Sequence, residues 1–187
     1  MRKDDLTDET LVEDARDGKR DAFRTLVERY KNSVAAIVIG MLGDIAEAED
    51  VGQETFIRFY RSLKDFRGES SVGTYLSRIA INASLNEIKK RRRRSIFIPL
   101  NLDSKVKDAP DFEFADPTAS AEYDDTNDRI RRAMNQLKPK FRSVIVLRLM
   151  EGYSTKETAE ILQIPLGTVL SRLRRSQEKL KCILDKP

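Results

Sequence analysis

The 187-residue chain contains no His, no Trp and a single Cys, Cys182. Without His, a Ser-His-Asp triad and a Glu-x-x-His di-metal site are excluded. With one thiol, a zinc-cysteine cluster and a disulfide framework are excluded too. A lone thiol also suits a reducing, cytoplasmic compartment. Long apolar runs are missing: the longest, 34–39, is far too short to span a bilayer, so no intrinsic membrane insertion is expected. The acidic N-terminus does not read as a signal peptide. No segment alternates apolar and polar residues as a half-buried strand would.

What remains is charge: 35 basic and 31 acidic residues, a net of +4. That small sum hides blocks of opposite sign. Residues 1–87 carry a net of −4, 88–94 a net of +6, 95–128 a net of −7 and 129–187 a net of +9. Clustered Lys and Arg are the sequence form of a polyanion-binding surface, because releasing condensed counterions favours binding.

Helical periodicity dominates. A short helix over 8–17 is closed by Gly18. A second is expected from an Asp21 N-cap, with Phe23, Leu26, Val27, Tyr30, Val34, Ile37, Val38 and Met41 at three- and four-residue steps and Gly43 as its stop. Asp44 can cap a third helix, striped by Ile45, Ala48, Val51, Thr55, Phe59 and Leu63. Ser70 or Ser71 opens a fourth, through Tyr75, Leu76, Ile79, Ala80 and Ala83. The expected fold class is all-α: a helical bundle over 1–94 and a C-terminal helical domain over 127–187. An acidic linker over 95–126, carrying Pro99, Pro110 and Pro117 with no sustained periodicity, joins them.

Three constellations stand out. The first is GYSTKETAEILQIPLGTVLSRLRRSQEKLK (152–181). Ser154 and Glu157 form a capping box, and Pro165 suits the first turn of the next helix. Ala159, Leu162, Ile164, Val169 and Leu173 would lock two short helices together. Thr168, Ser171, Arg172, Arg174 and Arg175 then face outward on the second helix. This reads as a helix-turn-helix with a basic recognition helix shaped for a major groove. A plain helical hairpin would not need cap, turn, apolar lock and basic face to coincide.

The second constellation runs from Phe66 through Arg67, Gly68, Glu69, Ser70 and Ser71 into the helix of Tyr75, ending in KKRRRR (89–94). Arg78, Asn82, Asn86 and Lys89 share one helix face. Amide and cationic side chains together can touch base edges and phosphates, and a loop beside an aromatic can hold an unstacked base. Spacing alone fits equally well a helix whose basic C-terminus complements its dipole. Third, Glu47, Asp50 and Glu54 line a helix face beside Glu49 and Gln53. This suggests a surface for a basic protein partner rather than a metal or acid–base site.

The stretch AEDVGQETFIRFYRSLKDFRGESSVGTYLSRIAIN (48–82) with KKRRRR resembles the promoter-melting domain of bacterial RNA polymerase sigma factors. LKPKFRSVIVLRLMEGYSTKETAEILQIPLGTVLSRLRRSQEKL (137–180) is similar to their C-terminal promoter-binding domain. Length and layout match the extracytoplasmic-function (ECF) group. The resemblance implies that Asp50, Gln53, Glu54 and Phe56 dock on core RNA polymerase. It implies that Arg67, Gly68, Ser70, Ser71, Tyr75, Arg78, Asn82 and Asn86 serve the −10 promoter element. Thr168, Ser171, Arg172, Arg174 and Arg175 would serve the −35 element. The partners implied are core polymerase, promoter DNA and an anti-sigma protein, with no cofactor, metal or catalytic residue. The linker would thread toward the polymerase active-site channel.

Four positions depart from the family pattern: Gly52 for a bulkier apolar residue, Tyr75 for Trp, Gln163 for a turn Gly, and Leu170 for Lys. Two rival functions remain at this stage. One is a helix-turn-helix regulator acting without polymerase, which would bind duplex DNA alone. The other is a carboxylate-metal nuclease using Asp44, Glu47, Asp50 and Glu54.

Overall fold

Apolar stripes at helical spacing, interrupted by Gly43, Gly68 and Gly152 at positive φ, give a chain of helices joined by tight turns. The computed structural model describes residues 6–43, 45–97 and 121–185. Helices α1 (Asp8–Arg16), α2 (Arg20–Leu42), α3 (Ile45–Ser62) and α4 (Val72–Phe97) form the N-terminal bundle, with a 3-10 turn at Leu63–Asp65. Helices α5 (Ala121–Gln136), α6 (Pro139–Ile145), α7 (Thr155–Leu162) and α8 (Leu166–Leu184) form the C-terminal part. A π-turn, Val146–Met150, prolongs α6. No strand occurs among the described residues.

The core follows the expected stripes. Leu26, Val34, Ile37, Val38 and Met41 of α2 are buried against Ala48, Val51, Thr55 and Phe59 of α3 and Leu76, Ala80 and Ala83 of α4. At the end of α2, Gly43 takes the left-handed conformation (φ 72°) and its N–H returns to the Ile39 carbonyl. The start of α2 differs from expectation. The helix begins at Arg20 after Lys19, which makes no side-chain cap, so Asp21 lies in the first turn. There its carboxylate favours the positive end of the helix dipole. The Asp44 cap lies outside the described residues, as does most of the expected linker. Helix α4 runs to Phe97 and α5 starts at Ala121, leaving 98–120 outside the description.

The two helical groups lie against each other. Helix α2 contacts α5, α6 and the π-turn, while α4 contacts α6 and α7. Val146, Leu147 and Ile161 belong to the same buried apolar cluster as Ile37 and Met41. The Arg142 guanidinium crosses between the groups, donating to the Met41 carbonyl at the C-terminus of α2 and to the Asn135 and Leu137 carbonyls. A cation is favoured at a helix C-terminus, where the last carbonyls point outward.

Candidate nucleic-acid and partner interfaces

Ser71, rather than Ser70, is the residue that opens α4: its hydroxyl accepts from the Thr74 N–H at 3.1 Å. The loop before it is fixed from an unexpected side. Arg16, at the end of α1, donates through Nε to the Leu63 carbonyl at 2.8 Å and through its second nitrogen to the Phe66 carbonyl. The loop and α4 border an open cavity of about 310 Å³. Its lining includes Arg67, Ser70, Tyr75 and Arg78, together with Asp65, Phe66 and Glu69. A cavity of this size can take an unstacked base, and Arg67 and Arg78 supply cations there beside the carboxylates of Asp65 and Glu69.

Tyr75 is half-buried, with its ring centroid 5.0 Å from Phe66 and 6.0 Å from Phe59. It is a wall of the cavity, held edge-on by neighbours, and not a free stacking platform. Asn82 is exposed on the same helix. Asn86 is not brought to this cavity. It lines a separate groove between α3 and α4 with Asp50, Glu54, Lys90 and Arg94.

Helix α3 presents its predicted docking residues along a crest with a groove on each side. Asp50 and Glu54 line the charged groove toward α4. Gln53 and Phe56 line a more apolar groove toward α2, beside Val34, Ala35, Ile39 and Gly52. A side chain at Gly52 would meet open space, so no crowding requires glycine there. The acidic residues are engaged locally: Arg58 lies 2.8 Å from Glu54 and holds its carboxyl below the usual carboxylate range. Glu47 pairs with Arg91 of α4. No group of three or more metal-ligating side chains occurs among the described residues. Glu47 and Glu54 are thus both turned to arginines of the chain itself.

In the C-terminal part the capping box is complete: Glu157 N–H donates to the Ser154 hydroxyl at 3.2 Å, and Ser154 N–H to the Glu157 carboxylate at 2.8 Å. Hydrogen bonds from the Ser154 hydroxyl and the Ser154 N–H hold the Glu157 carboxyl below its ordinary value. Gln163 closes α7 in the left-handed conformation (φ 52°, ψ 47°), and the Ile164 N–H reaches back to the Ala159 carbonyl at 3.1 Å. Pro165 sits one position before α8 and its carbonyl accepts from Thr168 and Val169. The centre of the lock is Thr158, Ile161 and Val169, all buried. Ala159, Leu162, Ile164 and Leu173 are only partly buried. Ser176, not singled out by pattern, donates to the Phe141 carbonyl at 3.2 Å and ties α8 to α6.

The outer face of α8 carries the expected residues. Ser171, Arg174 and Arg175 are exposed, and Thr168 and Arg172 half-buried. Arg174 is 82% exposed while paired with Glu178 at 3.1 Å, a pair that water and salt screen. The helix-turn-helix therefore offers an open basic face.

Both halves of the chain are similar to known proteins. The sigma-70 region 2 family matches residues 26–94 and the sigma-70 region 4 family matches 127–180. The RNA polymerase sigma-H factor of Pseudomonas aeruginosa is 35% identical over 180 residues, covering 92% of this chain and 91% of that protein. The ECF RNA polymerase sigma-E factor of Haemophilus influenzae is 35% identical, covering 94% of each. Among solved structures, CnrH in complex with the cytosolic domain of CnrY superposes with a TM-score of 0.70 at 24% identity, covering 95% of this chain and 97% of that one. The sigma factor RpoE of Bartonella quintana, solved with the anti-sigma factor NepR, gives 0.68 at 22% identity, covering 88% and 97%. These two likenesses carry the fold. Both family regions occur in order on one chain, and relatives match along nearly their whole length. The chain belongs to the ECF sigma factors of bacterial RNA polymerase.

Proposed function

We propose that this sigma factor divides its work among three surfaces. The α3 crest docks on core polymerase, the cavity beside α4 takes the single-stranded −10 element, and α8 reads the −35 duplex. The observation that carries this reading is the cavity of Arg67, Ser70, Tyr75 and Arg78. It is large enough for a base, sets Arg67 and Arg78 beside the carboxylates of Asp65 and Glu69, and is distinct from the exposed basic helix suited to duplex DNA. One chain thus carries separate sites for two strand states. A helix-turn-helix regulator acting without polymerase has no use for the first of them. In this reading the protein performs no reaction of its own and works in the cytoplasm with the polymerase. An anti-sigma protein is its natural antagonist, by analogy with the solved complex of RpoE and NepR.

Co-purification with core polymerase tests the docking surface. Asp50 is exposed and Glu54 lies toward the groove, so Asp50→Ala and Glu54→Ala leave the buried stripe of α3 intact. The Glu54–Arg58 pair is an exposed i,i+4 contact, so its loss has little effect on folding. Truncating one side of a buried charge contact with polymerase costs ~2–5 kcal/mol. Both variants should therefore dissociate from core polymerase while keeping duplex DNA binding. Undiminished co-purification of both would reject the α3 crest as the docking surface.

A further inference from the structure

Gly52 is a glycine that the fold itself does not explain. Four of the chain's eight glycines take positive φ. At Gly40 and Gly73 a Cβ would stand 2.9 Å from Val146 and 3.2 Å from Tyr30, and Gly167 lies in the first turn of α8. Gly52 sits in the middle of α3 without positive φ, and a Cβ there would meet nothing within 4 Å. Glycine in a helix interior is disfavoured against alanine, because it loses more backbone freedom on folding. The residue therefore weakens α3 with no compensating contact inside the chain.

What the missing side chain leaves is an opening. The groove between α2 and α3 has a volume of about 370 Å³. Buried Val34 and Ala48 and partly buried Phe56 give it an apolar lining, and Lys31, Glu49 and Gln53 stand exposed around it. An apolar hollow ringed by polar side chains is the shape that takes a buried anchor at a protein interface. The hollow also lies on the flank of the α3 crest opposite to Asp50 and Glu54, which line the charged groove. It is therefore continuous with the surface assigned above to core polymerase.

We infer that one large apolar side chain of core polymerase enters this groove and packs over Gly52. The inference rests on α3 being the docking helix and names what lies beside its carboxylates. Charge contacts form on the α4 side and an apolar anchor on the α2 side. Gly52 then weakens the free helix and makes room in the complex. Stability and polymerase affinity should move in opposite directions when the groove is filled, whereas a glycine needed by the fold would lower both together.

The test uses the full chain as wild type, Gly52→Ala, Gly52→Leu and Ala35→Leu, the last filling the groove from its α2 wall. Calorimetry reads the melting midpoint, and sedimentation velocity reads the oligomeric state. Competition with fluorescently labelled wild type reads affinity for core polymerase. Gly52→Ala should melt about 2–4 °C higher than wild type. Gly52→Leu should melt no lower than wild type. Polymerase affinity should fall about threefold in Gly52→Ala, tenfold in Ala35→Leu and thirtyfold in Gly52→Leu, as an interface anchor is progressively excluded from its pocket. If circular dichroism shows that Ala35→Leu does not fold, the graded loss from Ala to Leu at position 52 carries the test.

Wild-type affinity in Gly52→Leu would overturn the anchor. So would a lower melting midpoint in Gly52→Ala, which would give the glycine a role within the helix pair. Weak binding by Gly52→Leu beside wild-type affinity in a folded Ala35→Leu also overturns it, since the contact would then lie on the crest and not in the groove. A wild-type dimer that Gly52→Leu dissolves would assign the groove to a second copy of the chain instead. Asp50→Ala and Glu54→Ala, measured alongside, separate the two readings. If they weaken binding and the groove variants do not, the docking helix stands without the anchor. If no variant weakens binding, the docking assignment falls with it.

Discussion

Arg16 offers the most direct test of how the loop before α4 is held. Its guanidinium makes two hydrogen bonds to backbone carbonyls, those of Leu63 and Phe66, 47 and 50 residues further along the chain. Hydrogen bonds to a charged group contribute ~1.5–3 kcal/mol each. Both contacts are only part-buried, so water regains some of what Arg16→Gln removes, and the net loss should be ~2–3 kcal/mol. For a chain of this size each kcal/mol moves the melting midpoint by about 2–4 °C, giving a fall of roughly 5–10 °C by calorimetry. The consequence for DNA is selective. Phe66 remains anchored through its ring contacts with Phe59 and Tyr75, but the backbone carrying Arg67 and Ser70 loses its support. Single-strand affinity should fall about tenfold, corresponding to some 1.4 kcal/mol of added ordering on binding, while duplex binding through α8 is unchanged. Arg16→Lys keeps the charge and one donor and should recover part of the loss. Melting and single-strand affinity both at wild-type values in Arg16→Gln would refute the argument that this arginine positions the loop.

Two further outcomes follow from the helix-turn-helix. Arg172 and Arg175 emerge one turn apart on α8, with Arg172 nearer its N-terminal end, the end proposed to enter the groove. Arg172→Ala should alter the upstream sequence recovered by selection, at ~1–3 kcal/mol of lost discrimination. Arg175→Ala should weaken all duplexes alike and make the salt slope shallower by about one. Equal base preferences and equal slopes in the two variants would refute that division of labour. Gln163 sits at φ 52° without being glycine, so Gln163→Gly should relieve up to ~1 kcal/mol of backbone strain. A melting midpoint that rises by a few degrees checks this.

The parts of the molecule that were legible in sequence are those whose causes lie within a turn or two of chain. The capping box joins residues three apart, the Gln163 turn closes on Ala159 and Glu160, and the stripes of α2, α3 and α4 repeat locally. What escaped was fixed by distant chain. Arg16 carries no signal in the local pattern, and only the fold brings Leu63 and Phe66 to it. Tyr75 reads as a free aromatic beside a polar loop, yet Phe59 and Phe66 take up its ring. Helix α7 is the most instructive case. The expected lock included Ala159 and Leu162, whereas the buried centre is Thr158 and Ile161, one position earlier. An eight-residue helix has barely two turns in which to define an apolar face. This one contacts α8 on one flank and α4 on the other, so its small and apolar residues spread over more than one face. The mis-phased lock and the unforeseen Arg78–Glu160 contact therefore share one cause. A helix packed on two sides no longer shows in its pattern which side is the core of its own domain, and the second partner of α7 is α4.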